Sequence, residues 1–129
     1  MKTEYRETER ARTTYAADVL FHITTAEAWA SVGDAYRAAS LDTEGFVHLS
    51  TDAQWPRTLQ RWFPGRSGLV LLTIDPARLV SEVRWEEAHG ERFPHLYGAL
   101  PRAAVIEVAT LEVGADGLHR IGARETMPR

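Results

Sequence analysis

The chain has 129 residues, of which 44% are hydrophobic and 26% are charged, values typical of one soluble globular domain. It contains no cysteine, which excludes disulfide bonds, thiolate zinc sites and cysteine nucleophiles. The formal net charge is −3, whereas domains that bind duplex DNA usually carry an excess of basic residues. We therefore expect no duplex DNA partner. No stretch reaches the roughly 20 apolar residues of a membrane span and no secretory signal is present, so we expect a cytoplasmic protein without a membrane partner.

The first 17 residues are charged and polar, with Tyr5 and Tyr15 as their only aromatic side chains. Such a segment buries too little apolar surface to form a core, so residues 1–17 are predicted to be a flexible N-terminal extension. Residues 18–129 are predicted to form a single domain.

Alternation of apolar and polar residues predicts short strands, and an apolar period near 3.6 residues predicts helices. Two capping boxes, Thr24-x-x-Glu27 and Thr51-x-x-Gln54, predict helix starts, with Thr24 as the first N-cap. In chain order the pattern predicts a strand at 19–24, a helix to residue 32, a strand at 46–50, a helix over 55–63 and strands at 69–75, 83–88 and 103–113. Residues 89–101 are predicted to form a loop, and residues 118–121 a short edge strand.

This order of elements predicts an α+β fold rather than a doubly wound parallel sheet. The segment 69–75 is nearly all apolar, which predicts a central strand covered on both faces.

Polar side chains share one face in each of three predicted strands, since successive side chains point to opposite sides. If these faces meet, they form one polar cluster at strand ends that run into loops, where sites usually lie. The cluster comprises His22, Thr24, His48, Ser50, Arg84 and Glu86.

Each member of this cluster also has a structural interpretation. Thr24 is suited to capping a helix, and Ser50 to starting the next one. Arg84 and Glu86 could form a surface ion pair worth less than about 1 kcal/mol. The histidine spacing has no metal-ligand signature, so we expect no metal site.

The segment Phe93–Gly98 concentrates aromatic residues, proline, histidine and glycine in six positions. Pro94 and Gly98 are typical of a stiff, bent segment. We therefore expect His95 and Tyr97 to line a pocket.

The ordered set of motifs LFHIT, Trp29, Gly33, Tyr36, EGFVHLST, VRWEEA and FPHLYGAL resembles domain-of-unknown-function family 952. The resemblance covers about residues 19–108. It implies an ADP-ribosyltransferase-like α+β fold, with two small packed sheets and two or three short helices. In that wider fold, NAD lies in a cleft between the sheets.

The resemblance also implies roles for individual residues. His22, with Thr24 beside it, matches the position that contacts the NAD ribose, and His48 and Ser50 match the nicotinamide side. Glu86 matches the late-strand acid of transferases, so Glu86 and His48 are the implied catalytic residues. The other implied cofactor-binding residues, which belong to the family motifs, are Tyr36, His95 and Tyr97.

Three classes of function stay open at this point. The leading hypothesis is a domain that binds NAD or a related nucleotide and transfers ADP-ribose to an unknown acceptor. The second is a non-catalytic module on the same fold that binds another small ligand or a protein. The third is a small serine or histidine hydrolase that uses Ser50 or a histidine-activated water, and the Ser50 route requires a histidine within hydrogen-bond reach of Ser50.

Overall fold

A computed structural model describes residues 19–127 of the chain. The predicted N-terminal extension lies outside the described residues. Within residues 19–127, three short helices and nine strands form in this order: β1 (Leu20–Thr25), α1 (Ala26–Ala30), β2 (Ala35–Tyr36), α2 (Ala39–Thr43), β3 (Val47–His48), α3 (Trp55–Trp62), β4 (Leu69–Ile74), β5 (Val83–Ala88), β6 (Glu91–Leu96), β7 (Leu100–Pro101), β8 (Val105–Val113) and β9 (His119–Thr126). The described residues also form two single 3₁₀ turns, Pro76–Arg78 and Arg102–Ala104.

The largest sheet is antiparallel and has the strand order β1-β4-β8-β9. Every residue of β4 is buried, which confirms the prediction of a central strand covered on both faces. One face of the sheet packs on α3 through Leu59, and the other faces the smaller sheets through residues such as Leu72. Because β4 is shielded on both sides, its sequence is continuously apolar rather than alternating.

The other strands form a three-stranded sheet, β3-β6-β5, and a two-stranded sheet, β2-β7. The α+β class is therefore confirmed, with three sheets in place of the two that were expected. The prediction of a loop over 89–101 was wrong, because residues Glu91–Leu96 pair along their whole length with β5. The proline and charged residues in this segment obscured its strand pattern, and pairing in the sheet outweighs local propensity. The predicted edge strand near residue 118 forms as β9.

The start of the first helix differs by one residue from the prediction. Thr25, not Thr24, is the N-cap, and its hydroxyl accepts a hydrogen bond of 3.0 Å from the backbone N–H of Ala28. Thr24 instead lies in β1 with its side chain buried. The strand extends one residue further because Thr25 still pairs with Leu69 of β4.

Among residues 19–127, no helix is long and apolar enough to cross a membrane.

Candidate functional site

A cavity of about 480 Å³ lies where the four-stranded and three-stranded sheets meet beside α3. An antiparallel bridge between Phe21 and Ser50 joins the two sheets at this point. Residues from β1, β3, α3 and the β5–β6 hairpin contribute to its walls. The lining residues are His22, Ile23, Glu44, His48, Leu49, Ser50, Thr58, Trp62, Phe63, Ala88, His89 and Phe93.

Aromatic side chains form much of the wall. Phe93 comes from β6, while Trp62 and Phe63 come from the end of α3. Trp62 is 58% exposed, which is unusual for so large an apolar residue. An exposed tryptophan beside a concave surface is typical of a site that contacts a ligand.

His48 and Ser50 are the polar residues that β3 and the following turn bring to the cavity. The His48 side chain is half exposed, and its Nε2 lies 3.3 Å from the Glu44 carboxylate. The Ser50 hydroxyl lies 3.4 Å from that of Thr58, its hydrogen-bond partner among the described residues. No histidine within residues 19–127 is bonded to Ser50, so the geometry required for the serine hydrolase alternative is missing there.

A chain of hydrogen bonds runs beneath the cavity. Nδ1 of His22 lies 2.6 Å from the carbonyl oxygen of His48, so this nitrogen carries the proton and donates. Nε2 of His22 is therefore an acceptor, and it lies 3.2 Å from the Tyr36 hydroxyl. The Thr24 hydroxyl completes the chain by donating to Tyr36 over 2.9 Å. Both ring nitrogens of His22 are thus engaged within the protein.

Burial determines the charge of His22. The pKa of His22 is lowered from 6.5 to about 4, with loss of solvation as the largest cause. The bond to the His48 carbonyl opposes this change, and the nearby His48 side chain adds a smaller lowering. His22 is consequently neutral at neutral pH, as the hydrogen-bond chain requires. Burial also raises the pKa of Tyr36, which keeps its hydroxyl protonated.

A second polar cluster lies next to the cavity on the same face of the three-stranded sheet. One oxygen of Glu86, Oε1, accepts hydrogen bonds from Nδ1 of His95 and from the Tyr97 hydroxyl, each 2.7 Å long. Phe46 stacks on the His95 ring at a centroid distance of 3.9 Å. The His95 ring in turn packs edge-on against His48, with centroids 5.4 Å apart. This contact joins the second cluster to the cavity.

Hydrogen bonding shifts the pKa values of Glu86 and Tyr97 in opposite directions. The bonds from Tyr97 and His95 lower the pKa of Glu86, and the bond to Glu86 raises the pKa of Tyr97. The Arg84 guanidinium lies 4.2 Å from the centre of the Tyr97 ring. Its ion pair is with Glu82 at 3.1 Å, not with Glu86 as the surface-pair interpretation expected.

The structure therefore divides the eight residues predicted for the site into two groups. His22, His48 and Ser50 line the cavity. The other five do not line it: they belong either to the buried chain or to the neighbouring cluster, and are Thr24, Tyr36, Glu86, His95 and Tyr97.

Sequence reasoning missed several cavity residues. Trp62 and Phe63 were assigned to the apolar face of a helix, and Phe93 and His89 to a loop. Trp62 falls on the same apolar stripe as Trp55, Leu59 and Phe63, so the helical pattern gave no signal that separates it from a core residue. No pattern in the sequence could have placed His89, because its position depends on the pairing of β5 with β6.

The described residues contain no group of three or more histidine, aspartate or glutamate side chains arranged to hold a metal ion.

These features define a small α+β domain with an aromatic-walled cavity between two sheets. Residues 23–108, more than half of the chain, match the family described as Protein of unknown function (DUF952). The chain belongs to this family, which confirms the assignment made from its motifs.

Solved structures agree with this assignment. The chain is similar to the crystal structure of protein CC0527 from Caulobacter crescentus, with 32% sequence identity and a TM-score of 0.72 over 79% of this chain and 93% of that one. The solution NMR structure of the same protein gives 34% identity and a TM-score of 0.66 over 78% and 90% of the two chains. A comparison with curated proteins found no match.

Proposed function

We propose that this domain binds NAD or a related nucleotide in the cavity between its two larger sheets. The observation that carries the proposal is the combination of an aromatic wall with inward-facing His48 and Ser50. A volume of about 480 Å³ is within the range of small-molecule and cofactor sites.

The wall suits a planar heteroaromatic ring. Trp62, Phe63 and Phe93 offer ring faces and edges against which a nicotinamide or adenine ring can stack. His48 and Ser50 supply the few convergent polar groups that orient a ligand in an otherwise apolar pocket. The position of the cavity between two small sheets also supports an ADP-ribosyltransferase-like arrangement as part of the proposal.

His22 has a different role in this proposal from the one its motif implied. Its two ring nitrogens are occupied by the His48 carbonyl and the Tyr36 hydroxyl. We therefore assign it to positioning the His48 backbone at the cavity, with Thr24 and Tyr36 holding the His22 ring in place.

We restrict the proposal to binding rather than transfer of ADP-ribose. Glu86, the carboxylate implied for transfer, does not line the cavity and shares one oxygen between His95 and Tyr97. A carboxylate that stabilises a ribosyl cation must contact the reacting carbon.

The test is calorimetric titration of the full chain with NAD, using paired tryptophan variants. Trp62 and Trp85 are 58% and 47% exposed, but only Trp62 lines the cavity. We expect Trp62→Ala and Ser50→Ala to weaken NAD binding by about tenfold or more, and Trp85→Ala to leave it unchanged. Absence of NAD binding by the folded wild-type protein, or equal losses in both tryptophan variants, would overturn the proposal.

A further inference from the structure

Two nitrogen-bearing side chains meet at the rim of the cavity. Arg61, on α3, lies with one terminal guanidinium nitrogen 3.0 Å from Nδ1 of His89. Because a guanidinium can only donate, Nδ1 of His89 is unprotonated and accepts the bond. Both side chains are exposed, so a ligand at the rim can reach them.

Arg57 and Arg61, on successive turns of α3, differ in their charge partners. Arg57, one turn earlier on α3, is neutralised by Glu91 at 2.8 Å. Within residues 19–127, Arg61 has no carboxylate partner. The acidic residue of the cavity wall, Glu44, comes from the opposite side, next to β3, where it pairs with His48.

The hairpin turn holds His89 at this position. His89 and Gly90 connect β5 to β6 with φ angles of 53° and 84°. Two successive positive φ values are the signature of the tight turns that join antiparallel strands. The His89 ring also packs against Trp62 with centroids 5.5 Å apart, and the Arg61 guanidinium lies 5.5 Å from the centre of the Trp62 ring.

We infer that Arg61 and His89 form a phosphate-binding subsite at the mouth of the cavity, adjacent to the stacking surface of Trp62. The inference rests on the proposed function and adds the ligand group that the rim recognises. On binding, a phosphate oxygen replaces Nδ1 of His89 as the acceptor for Arg61, and the planar guanidinium engages it with paired donors. Because Nδ1 of His89 is unprotonated, the neutral ring carries its proton on Nε2, and this N–H is the donor that His89 offers to a phosphate oxygen. The ligand class is then a nucleoside phosphate rather than a nucleoside.

Three probes separate this subsite from the cavity itself: adenosine, ADP and pyrophosphate, each titrated by calorimetry into the full chain. We expect ADP to bind at least about tenfold more tightly than adenosine, as charge-assisted hydrogen bonds imply. Arg61→Gln should remove that advantage, and His89→Asn, which suits the positive φ of the turn, should reduce it. Rising salt should weaken ADP binding to the wild type more than to Arg61→Gln.

The control is Arg120→Gln, which makes the same change in charge at a residue of β9 that does not line the cavity. Equal affinity for adenosine and ADP would overturn the phosphate subsite while leaving nucleoside binding in the cavity intact. Pyrophosphate binding that Arg61→Gln abolishes, without any binding of adenosine or NAD, would sustain the subsite and overturn the proposed function. A loss of ADP affinity of the same size in Arg120→Gln, or no binding of either ADP or pyrophosphate, would overturn the inference.

Discussion

The imidazole of His22 holds the backbone of His48, since its Nδ1 donates to the His48 carbonyl over 2.6 Å. The two histidines come from different sheets and serve different purposes. His22 is buried and connects the sheets, while the side chain of His48 is half exposed at the cavity. The position of His48, a candidate ligand-binding residue, therefore depends on the protonation state of His22.

Stability should fall in mildly acidic solution because of His22. Its pKa is about 4 in the folded protein, against 6.5 for an unperturbed histidine. Between these values the unfolded state binds more protons, so the free energy of unfolding decreases as pH falls from 6.5 to about 4. The total contribution is about 3 kcal/mol.

Urea unfolding at a series of pH values measures this effect. The variant His22→Gln removes the titrating group and should flatten the dependence across the window. A decrease of equal size in the variant would show that other groups are responsible.

Replacement of Tyr36 by phenylalanine should destabilise the fold. The change leaves the buried Nε2 of His22 and the hydroxyl of Thr24 without their shared partner. An unsatisfied buried polar group costs about 1–3 kcal/mol. Chemical denaturation of Tyr36→Phe, Thr24→Val and the double variant measures the coupling between the two sites. Strictly additive losses would contradict a shared hydrogen-bond chain.

The hydrogen bond between Tyr97 and Glu86 should change the pH at which Tyr97 titrates. The hydrogen bond to Glu86, together with loss of solvation and the negative charge of Glu86, favours the neutral phenol and raises the pKa of Tyr97. In Glu86→Gln the charge is lost, so the pKa of Tyr97 should fall toward its ordinary value. Phenolate absorbance during alkaline titration reports this change, and the difference should vanish in a Tyr97→Phe background. An unchanged curve in Glu86→Gln would show that this hydrogen bond does not form.

The centre of the large sheet should tolerate truncation poorly. Leu72 in β4 has no exposed surface, whereas Leu118, before β9, is 49% exposed. Leu72→Ala should cost about 2–5 kcal/mol, because it leaves a cavity in a packed core. Leu118→Ala should change the free energy of unfolding by less than about 0.5 kcal/mol. Similar losses in the two variants, measured by urea denaturation, would contradict the assigned burial.

The local sequence pattern was sufficient to predict the elements that have a clear apolar pattern. Continuous apolar character identified the central strand β4, and the bounds Val83–Ala88 of β5 matched the prediction. The alternation rule also placed Arg84 and Glu86 on one face of β5, and the pairing of β3, β6 and β5 in the structure brings that face beside His48 and His95. The character of β4 and the face shared by Arg84 and Glu86 depend on residue order along a single strand, which can be read from the sequence.

Other features depended on which segments pair. Strand β6 contains Pro94 and three charged or polar residues, so its local propensity was weak, and pairing with β5 decided its conformation. The same pairing formed the turn that brings His89 to the cavity. Thr24 fitted a helix cap by spacing alone, yet one additional strand pair moved the cap to Thr25.

The sequence by itself determined the α+β class, the family and the face of its own strand on which each candidate polar residue lies. Only the tertiary structure decided which of these residues line the cavity and which hydrogen-bond to one another instead. The physical reason is that hydrogen-bond partners such as His22 and the His48 carbonyl are 26 residues apart. Their meeting depends on the packing of two sheets, and no local pattern along the chain encodes it.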